Sequence, residues 1–242
     1  MQNTRRTKTF IGATMLAAVS TTAYAAYASH TMHAYVALAT LALAVATSRM
    51  KVKLPGINGN MSMNLPFLLT AIVTLSGAEA AAIAFASTAV QCWPKKNARL
   101  NLQQMAFNLS MMLFASSSAS LIIHSRVLYG AQPGVSTLQI VLATLTLFLG
   151  QTIPVAGIVA VSESKTAASI WWNLAHLSFP YYVISAGMTT MVQAMSSHLG
   201  WGLALAVFPV MYGIHRSFRV YFAHLSETMP LQVLAKAAGA GA

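Results

Sequence analysis

Thr137-Leu-Gln-Ile-Val-Leu-Ala-Thr-Leu-Thr-Leu-Phe-Leu-Gly-Gln-Thr-Ile-Pro-Val-Ala-Gly-Ile-Val-Ala-Val161 runs without one charged residue. As an α-helix it would be about 37 Å long, more than the roughly 30 Å of bilayer hydrocarbon. The rest of the chain agrees with a membrane setting. Of 242 residues 57% are hydrophobic and only 7% charged, with a mean hydropathy of +0.63. A water-facing domain typically needs about 25% charged residues, and a disordered chain would be far less apolar.

Further spans lie on either side. Upstream come Thr9 to Ala28, Met32 to Ser48, and Leu102 to Ile123; downstream come Ile170 to Met195 and Trp201 to Phe222. Ser62 to Trp93 has room for two short spans with a tight turn near Ser76-Gly77, or for one segment that dips in and returns. The first reading gives about eight helices; the second gives six or seven. The polar piece from Arg49 to Asn60 contains Pro55, Gly56 and Gly59, which break any helix.

Charge placement tests the count. Loops facing the cytoplasm collect Lys and Arg. With the N-terminus inside and eight alternating spans, the inner side holds Arg5, Arg6, Lys8, Arg49, Lys51, Lys53, Lys95, Lys96, Arg99, Lys165, Arg216, Arg219 and Lys236. That is 13 of 14 basic residues, with Arg126 alone outside. The expected fold is therefore an all-α polytopic transmembrane bundle, N-in and C-in, with residues 1–227 as one domain and 228–242 as a short tail. The first span has the basic start and small-residue sites of a secretory signal, such as Ala23-Tyr24-Ala25. The alternation requires that helix, so it reads as an uncleaved span. The net charge of +11 then marks orientation and gives no nucleic-acid surface.

Chemistry is sparse. There is no Asp, and the three carboxylates, Glu79, Glu163 and Glu227, lie far apart. Paired-acid glycosidase, two-metal and aspartyl-dyad chemistry all need close acids. No phosphate-binding loop, zinc spacing or nucleophile elbow occurs. The single cysteine, Cys92, allows no internal disulfide.

Glu79 is the carboxylate nearest a span. Ser76-Gly-Ala-Glu79 fits a capping box, and that reading is preferred to a ligand- or proton-binding role. As a cap it should tolerate Gln. Asn108, Gln139, Gln151, Asn173 and Gln193 fall inside spans, where amides either bond a neighbouring helix or line a polar cavity. Glu79, Asn108 and Asn173 are the candidate ligand-binding residues. Seven histidines raise haem or metal ligation; His30, His33, His124 and His198 at the outer face are the better candidates, and solvated interfacial histidines the plainer reading. No metal or cofactor is expected. Pro154, Pro180 and Pro209 fall within spans and can open cavities. Trp171, Trp172, Trp201, Tyr181, Tyr182 and Tyr212 fit interface belts.

Three segments together resemble the multi-pass membrane sensor region that precedes bacterial cyclic-di-GMP signalling enzymes of the HD-GYP and GGDEF types. They are Lys51-Val-Lys-Leu-Pro-Gly-Ile-Asn-Gly-Asn-Met-Ser62 with Ser76-Gly-Ala-Glu79; Leu102-Gln-Gln-Met-Ala-Phe-Asn108; and Phe179-Pro-Tyr-Tyr182 followed by Gly200-Trp201, Pro209-Val-Met-Tyr212 and Arg216-Ser-Phe-Arg-Val-Tyr221 with His224-Leu225. The Leu-Pro-Gly turn is also faintly similar to substrate-binding subunits of vitamin transporters. The resemblance implies the fold, a bacterial cytoplasmic membrane and a ligand cavity. It implies no enzyme activity here, because no HD, GYP or GGDEF sequence follows Leu225.

The expected function is a stand-alone, non-catalytic sensor-like module that binds a small ligand or a partner protein, in the membrane or the cytoplasm. The alternative is an accessory subunit of a larger bacterial membrane complex. A transporter-like subunit ranks third.

Overall fold

The computed structural model describes residues 2–28, 33–53, 60–94, 101–125, 135–163 and 166–199, and in the last stretch residues 209–210, 212–214, 216–217, 220–221 and 224. The described chain is all-α apart from one small ribbon. The helices are α1 (Gln2–Ala28), α2 (Ala34–Ser48), α3 (Leu65–Thr74), α4 (Gly77–Cys92), α5 (Leu102–Ile123), α6 (Thr137–Glu163) and α7 (Ala167–Leu199). Every described residue of 209–224 is helical, and this segment is termed α8. The tail 228–242 lies outside the described residues.

Among the described residues, three helical stretches are long and apolar enough to cross a membrane: Arg5–Ala28, Leu102–Ile123 and Thr137–Ser162. α2 and α3 are apolar but shorter. The polar piece after α2, read from sequence as a helix-free turn, pairs its two arms as β1 (Lys51–Lys53) and β2 (Asn60–Ser62), antiparallel with Val52 opposite Met61.

Contacts along the helices give their relative directions. Phe10 packs on Phe107 with ring centroids 6.3 Å apart, and Thr22 Oγ1 meets Ser117 Oγ at 2.9 Å, so α1 and α5 run parallel. Gln139 Nε2 donates to the Ile123 carbonyl at 3.3 Å, while Gly150 faces Ala115, so α6 runs antiparallel to α5. Asn108 Nδ2 reaches Cys92 Sγ at 3.5 Å, which puts the end of α4 near the start of α5. α4 also runs alongside α2. The His33 N–H donates to Glu79 Oε1 at 2.9 Å at one end, and Lys51 Nζ donates to the Gln91 carbonyl at 2.6 Å at the other.

α3 begins where α2 ends. The Met63 N–H donates to the Met50 carbonyl at 3.1 Å, and Ser62 Oγ to the Ser48 carbonyl at 2.9 Å. It therefore rises antiparallel to α4 and turns back at Leu75-Ser76, where the sequence places a tight turn. Neither helix has full span length: α3 is about 15 Å long and α4 about 24 Å. A helix so short is marginal alone and persists when the rest of the protein packs around it. That is its situation, since Leu65 through Val73 are all buried and Leu68, Leu69, Ala71 and Ile72 have no exposure. The core of the bundle forms around it, with Leu147, Phe148 and Ile140 of α6 and Tyr181 and Tyr182 of α7.

Small residues set the helix spacing. A Cβ at Gly77 would sit 2.7 Å from the Ala25 carbonyl oxygen, and one at Gly150 would sit 2.9 Å from the Ala115 Cβ. No side chain fits at either position without moving a backbone. Gly187 on α7 has nothing within 4 Å of the same point. Gly150→Leu should lower stability by about 1–3 kcal/mol through overpacking, and Gly187→Leu by less than about 0.5 kcal/mol. Thermal melts of the purified variants check the contrast.

Candidate functional site

Polar side chains in an apolar bundle must find partners inside it, so their pairing shows which are structural and which remain available. Ser76 and Glu79 form the capping box that their spacing predicts. Ser76 Oγ accepts from the Glu79 N–H at 3.3 Å, and Glu79 Oε2 accepts from the Ser76 N–H at 3.0 Å and from its hydroxyl at 2.8 Å. The carboxylate also does something the sequence does not suggest. Its second oxygen, Oε1, takes the N–H of His33 and so fastens the start of α2 to the start of α4.

Glu79 is part-buried in the first turn of α4, a helix outside the three long and apolar enough to cross a membrane. Burial pushes its carboxyl up, but hydrogen bonds from the Ser76 hydroxyl and N–H and from the His33 N–H outweigh this, helped by the His33 charge, and hold it below the ordinary carboxylate value. A depressed value means stability that is present above the ordinary carboxylate range and lost as pH falls through the lowered value.

Gln139, expected as an amide within a span, has a similar role. It caps the start of α6: the Ser136 N–H donates to its Oε1 at 2.6 Å, and its own N–H reaches Ser136 Oγ at 3.3 Å. Its Nε2 bonds Ile123 at the end of α5. Ser136-Thr-Leu-Gln139 is a second S-x-x-Q box, a signal present in the sequence and overlooked beside the apolar run that follows.

The three candidate ligand residues do not converge. Asn108 is half-buried against Cys92, which lies 13 positions along α4 from Glu79, about 20 Å away. Asn173 is exposed on α7 beside Trp172. Of the histidines, His33 is exposed and contributes its backbone N–H to Glu79. His124 Nδ1 lies 2.9 Å from the carbonyl oxygen of Ser120 in its own helix. His30 and the His198 side chain lie outside the described residues. Among the described residues, no three His, Cys, Asp or Glu side chains gather as a metal site.

The polar groups that do come together surround the start of α3. Tyr181, Ser185 and Thr189 recur every four residues on one face of α7, each 0–1% exposed. The Tyr181 side chain is buried beside the Leu65 backbone, and the Ser185 hydroxyl donates to the Tyr181 carbonyl at 2.7 Å. Thr189 Oγ1 lies 3.5 Å from the Pro66 carbonyl oxygen, which also accepts from Thr70 Oγ1 at 2.8 Å. Asn64 precedes the helix at 3% exposure. Its side chain caps no N–H, and its Nδ2 has no hydrogen-bond partner among the described residues. Pro66 brings no N–H of its own in this first turn. Tyr181 thus faces the first turn of α3 from α7.

This revises the interface-belt reading of Tyr181, Tyr182 and Trp171. The two tyrosines are 1% and 6% exposed, and Tyr182 stacks edge-on to Phe148 at 5.1 Å. Trp171 Nε1 donates to Thr152 Oγ1 at 3.1 Å. Trp171 has its partner within the bundle and both tyrosines are buried in it, away from any headgroup region. Trp172 and Tyr212 are exposed, as a belt requires, and Trp201 lies outside the described residues. The chain matches no protein-family model, no curated protein and no solved structure.

Two measurements follow from these bonds. In Glu79→Gln the single amide oxygen can serve Ser76 or His33 but not both, so the loss should be about 1 kcal/mol at neutral pH, more than a simple cap predicts. The melting temperature of the wild type should fall as pH drops through the carboxylate range, and that of Glu79→Gln should stay flatter. Tyr181→Phe removes a fully buried hydroxyl beside the start of α3 and should change stability by no more than about 1.5 kcal/mol, read from the same melts.

Proposed function

We propose that the chain is an eight-helix module of the bacterial inner membrane, both termini cytoplasmic, that binds a small ligand or a partner protein and carries out no catalysis. The observation that supports it best is the polar centre around α3. Short, discontinuous helices at membrane depth are a recurring means of presenting polar groups to a bound molecule. Every group there is a neutral amide, hydroxyl or backbone group, suited to hydrogen bonding and poorly suited to acid–base work near neutral pH. The only carboxylate with a described side chain, Glu79, is engaged in joining helices.

Parts of the first and third segments that resemble the cyclic-di-GMP sensor region border this centre. The Lys51–Ser62 ribbon leads into α3, Ser76 to Glu79 leads out of it, and Tyr181 and Tyr182 pack on it. Charge supports the orientation: Arg5, Arg6 and Lys8 sit at the Phe10 end of α1, and Lys51 at the Gln91 end of α4, while Glu79 is at the opposite end. The alternative, an accessory subunit, draws on the bare apolar residues of α1 and α2, where Leu16, Tyr27 and Tyr35 are 74%, 77% and 91% exposed. The bilayer and a membrane or cytoplasmic protein are the expected partners.

A thermal-shift screen of the purified chain against a metabolite library tests the reading. At a hundredfold excess over Kd a ligand should add about 2.7 kcal/mol of stability. Asn64→Leu should lose the shift while keeping the basal fold. A chain that never shifts, and that extracts only with fixed partners in constant stoichiometry, is an accessory subunit.

A further inference from the structure

Two polar side chains lie exposed level with the centre of α6, the most apolar of the three candidate spans. Trp171 Nε1 donates to Thr152 Oγ1 at 3.1 Å, and the Tyr182 ring lies 5.1 Å from that of Phe148, so α7 runs antiparallel along the middle of α6. Thr152 and Phe148 flank the centre of the Thr137–Ser162 stretch. Asn173 and His176 fall between Trp171 and Tyr182, hence at that same depth, and both are exposed. Pro180 adds a third polar group. It has no N–H, so the His176 carbonyl lacks its donor four residues on. The exposed residues Leu138, Val141 and Leu145 of α6 are apolar, as a lipid-facing surface requires. α7 differs: it has 33 residues and no Lys, Arg, Asp or Glu, yet is not apolar enough to rank with the candidate spans.

Helical spacing puts these groups in one line. Asn173, His176, Pro180 and Val183 follow one another at three, four and three residues, and all four are exposed, Val183 at 53%. That is the a/d spacing of a seam between two helices, with Asn173 in an a position. Lipid tails offer such a seam no hydrogen bond, whereas a neighbouring helix does. We propose that α7 pairs along this seam with α7 of a second copy of the chain, about a two-fold axis along the membrane normal. A two-fold interface must complement itself, and this one does. The Asn173 amide donates and accepts, as does the His176 ring, and the His176 carbonyl supplies a further acceptor. A single Asn at an a position sets the register of two identical helices by meeting its own counterpart. The inference rests on the membrane-embedded reading, which flotation of the purified chain with vesicles tests separately.

The purified full chain in phosphatidylcholine vesicles provides the test, because no other protein is then present. Copies labelled at Ser125→Cys in a Cys92→Ser background should show energy transfer that falls with lipid dilution as a dimer dissociates. Asn173→Leu should weaken the dimer about sevenfold, the worth of two symmetry-related amide bonds between membrane helices, and Asn173→Gln should weaken it less. Asn173 is exposed, so both variants keep the fold. Val183→Cys should crosslink between copies on oxidation with copper phenanthroline, while Leu138→Cys, as exposed on α6, should not. A monomer at every dilution overturns the proposal, as does a dimer that Asn173→Leu leaves unchanged or that crosslinks at Leu138 and not at Val183. A Val183→Cys chain that crosslinks in cells only to a different protein overturns it as well.

Discussion

The structure depends on supplying hydrogen-bond partners to a short helix that has no water around it. α3 starts and stops inside the protein, and each end leaves N–H or C=O groups that its own turns cannot pair. An unpaired buried amide costs about 1–3 kcal/mol, so such a helix persists only if neighbours provide for its ends. At its start Tyr181 of α7, 1% exposed, is buried against the Leu65 end, and the Pro66 carbonyl accepts from Thr70. At its exit the chain reverses at once into the Ser76–Glu79 box, whose free carboxylate oxygen fixes α2. The close contacts Gly77–Ala25 and Gly150–Ala115 bring α1, α4, α5 and α6 near enough to enclose the apolar sides of the hairpin. Remove the polar partners and the apolar packing has nothing to position it.

How much of this was legible depends on the range of each signal. Helix limits follow from local rules, so α5 spans Leu102–Ile123 as the apolar run indicates, and the α3–α4 turn falls on Ser76. The Glu79 cap is equally local. The cross-helix bonds have no such signature. That Glu79 reaches His33, 46 positions away, or that Tyr181 is buried against the start of α3, depends on how the bundle closes. Tyr181 also shows how composition misleads: an aromatic hydroxyl near a helix middle fits an interface belt and a buried partner equally well until the neighbour is known. Ser178, Tyr181, Ser185 and Thr189 do share one helical stripe, and that spacing, beside the Asn64-Leu-Pro66 helix start, was the readable hint.

The candidate binding residues failed to meet for the same reason. Glu79, Asn108 and Asn173 were chosen as polar exceptions within apolar runs, a test of each residue alone. Two of the three carry side-chain bonds within the bundle, and Cys92, the partner of Asn108, stands about 20 Å along α4 from Glu79. The polar centre instead uses residues that no span makes conspicuous, because serine and threonine are common in membrane helices and usually bond their own turn. Functional attention therefore moves from isolated charges to the entry of α3, and to the ribbon and α7 stripe that frame it.

The central claim is that this bundle lies across a membrane with the Glu79 end outside and the Lys51 end inside. Cysteine labelling in intact cells tests it most directly, in a Cys92→Ser background with single cysteines at His33, Ser125, Lys8 and Thr166. A membrane-impermeant maleimide should modify positions 33 and 125 in intact cells, and positions 8 and 166 only after permeabilisation. Labelling of 8 and 166 from outside, or of all four positions alike, would contradict the account.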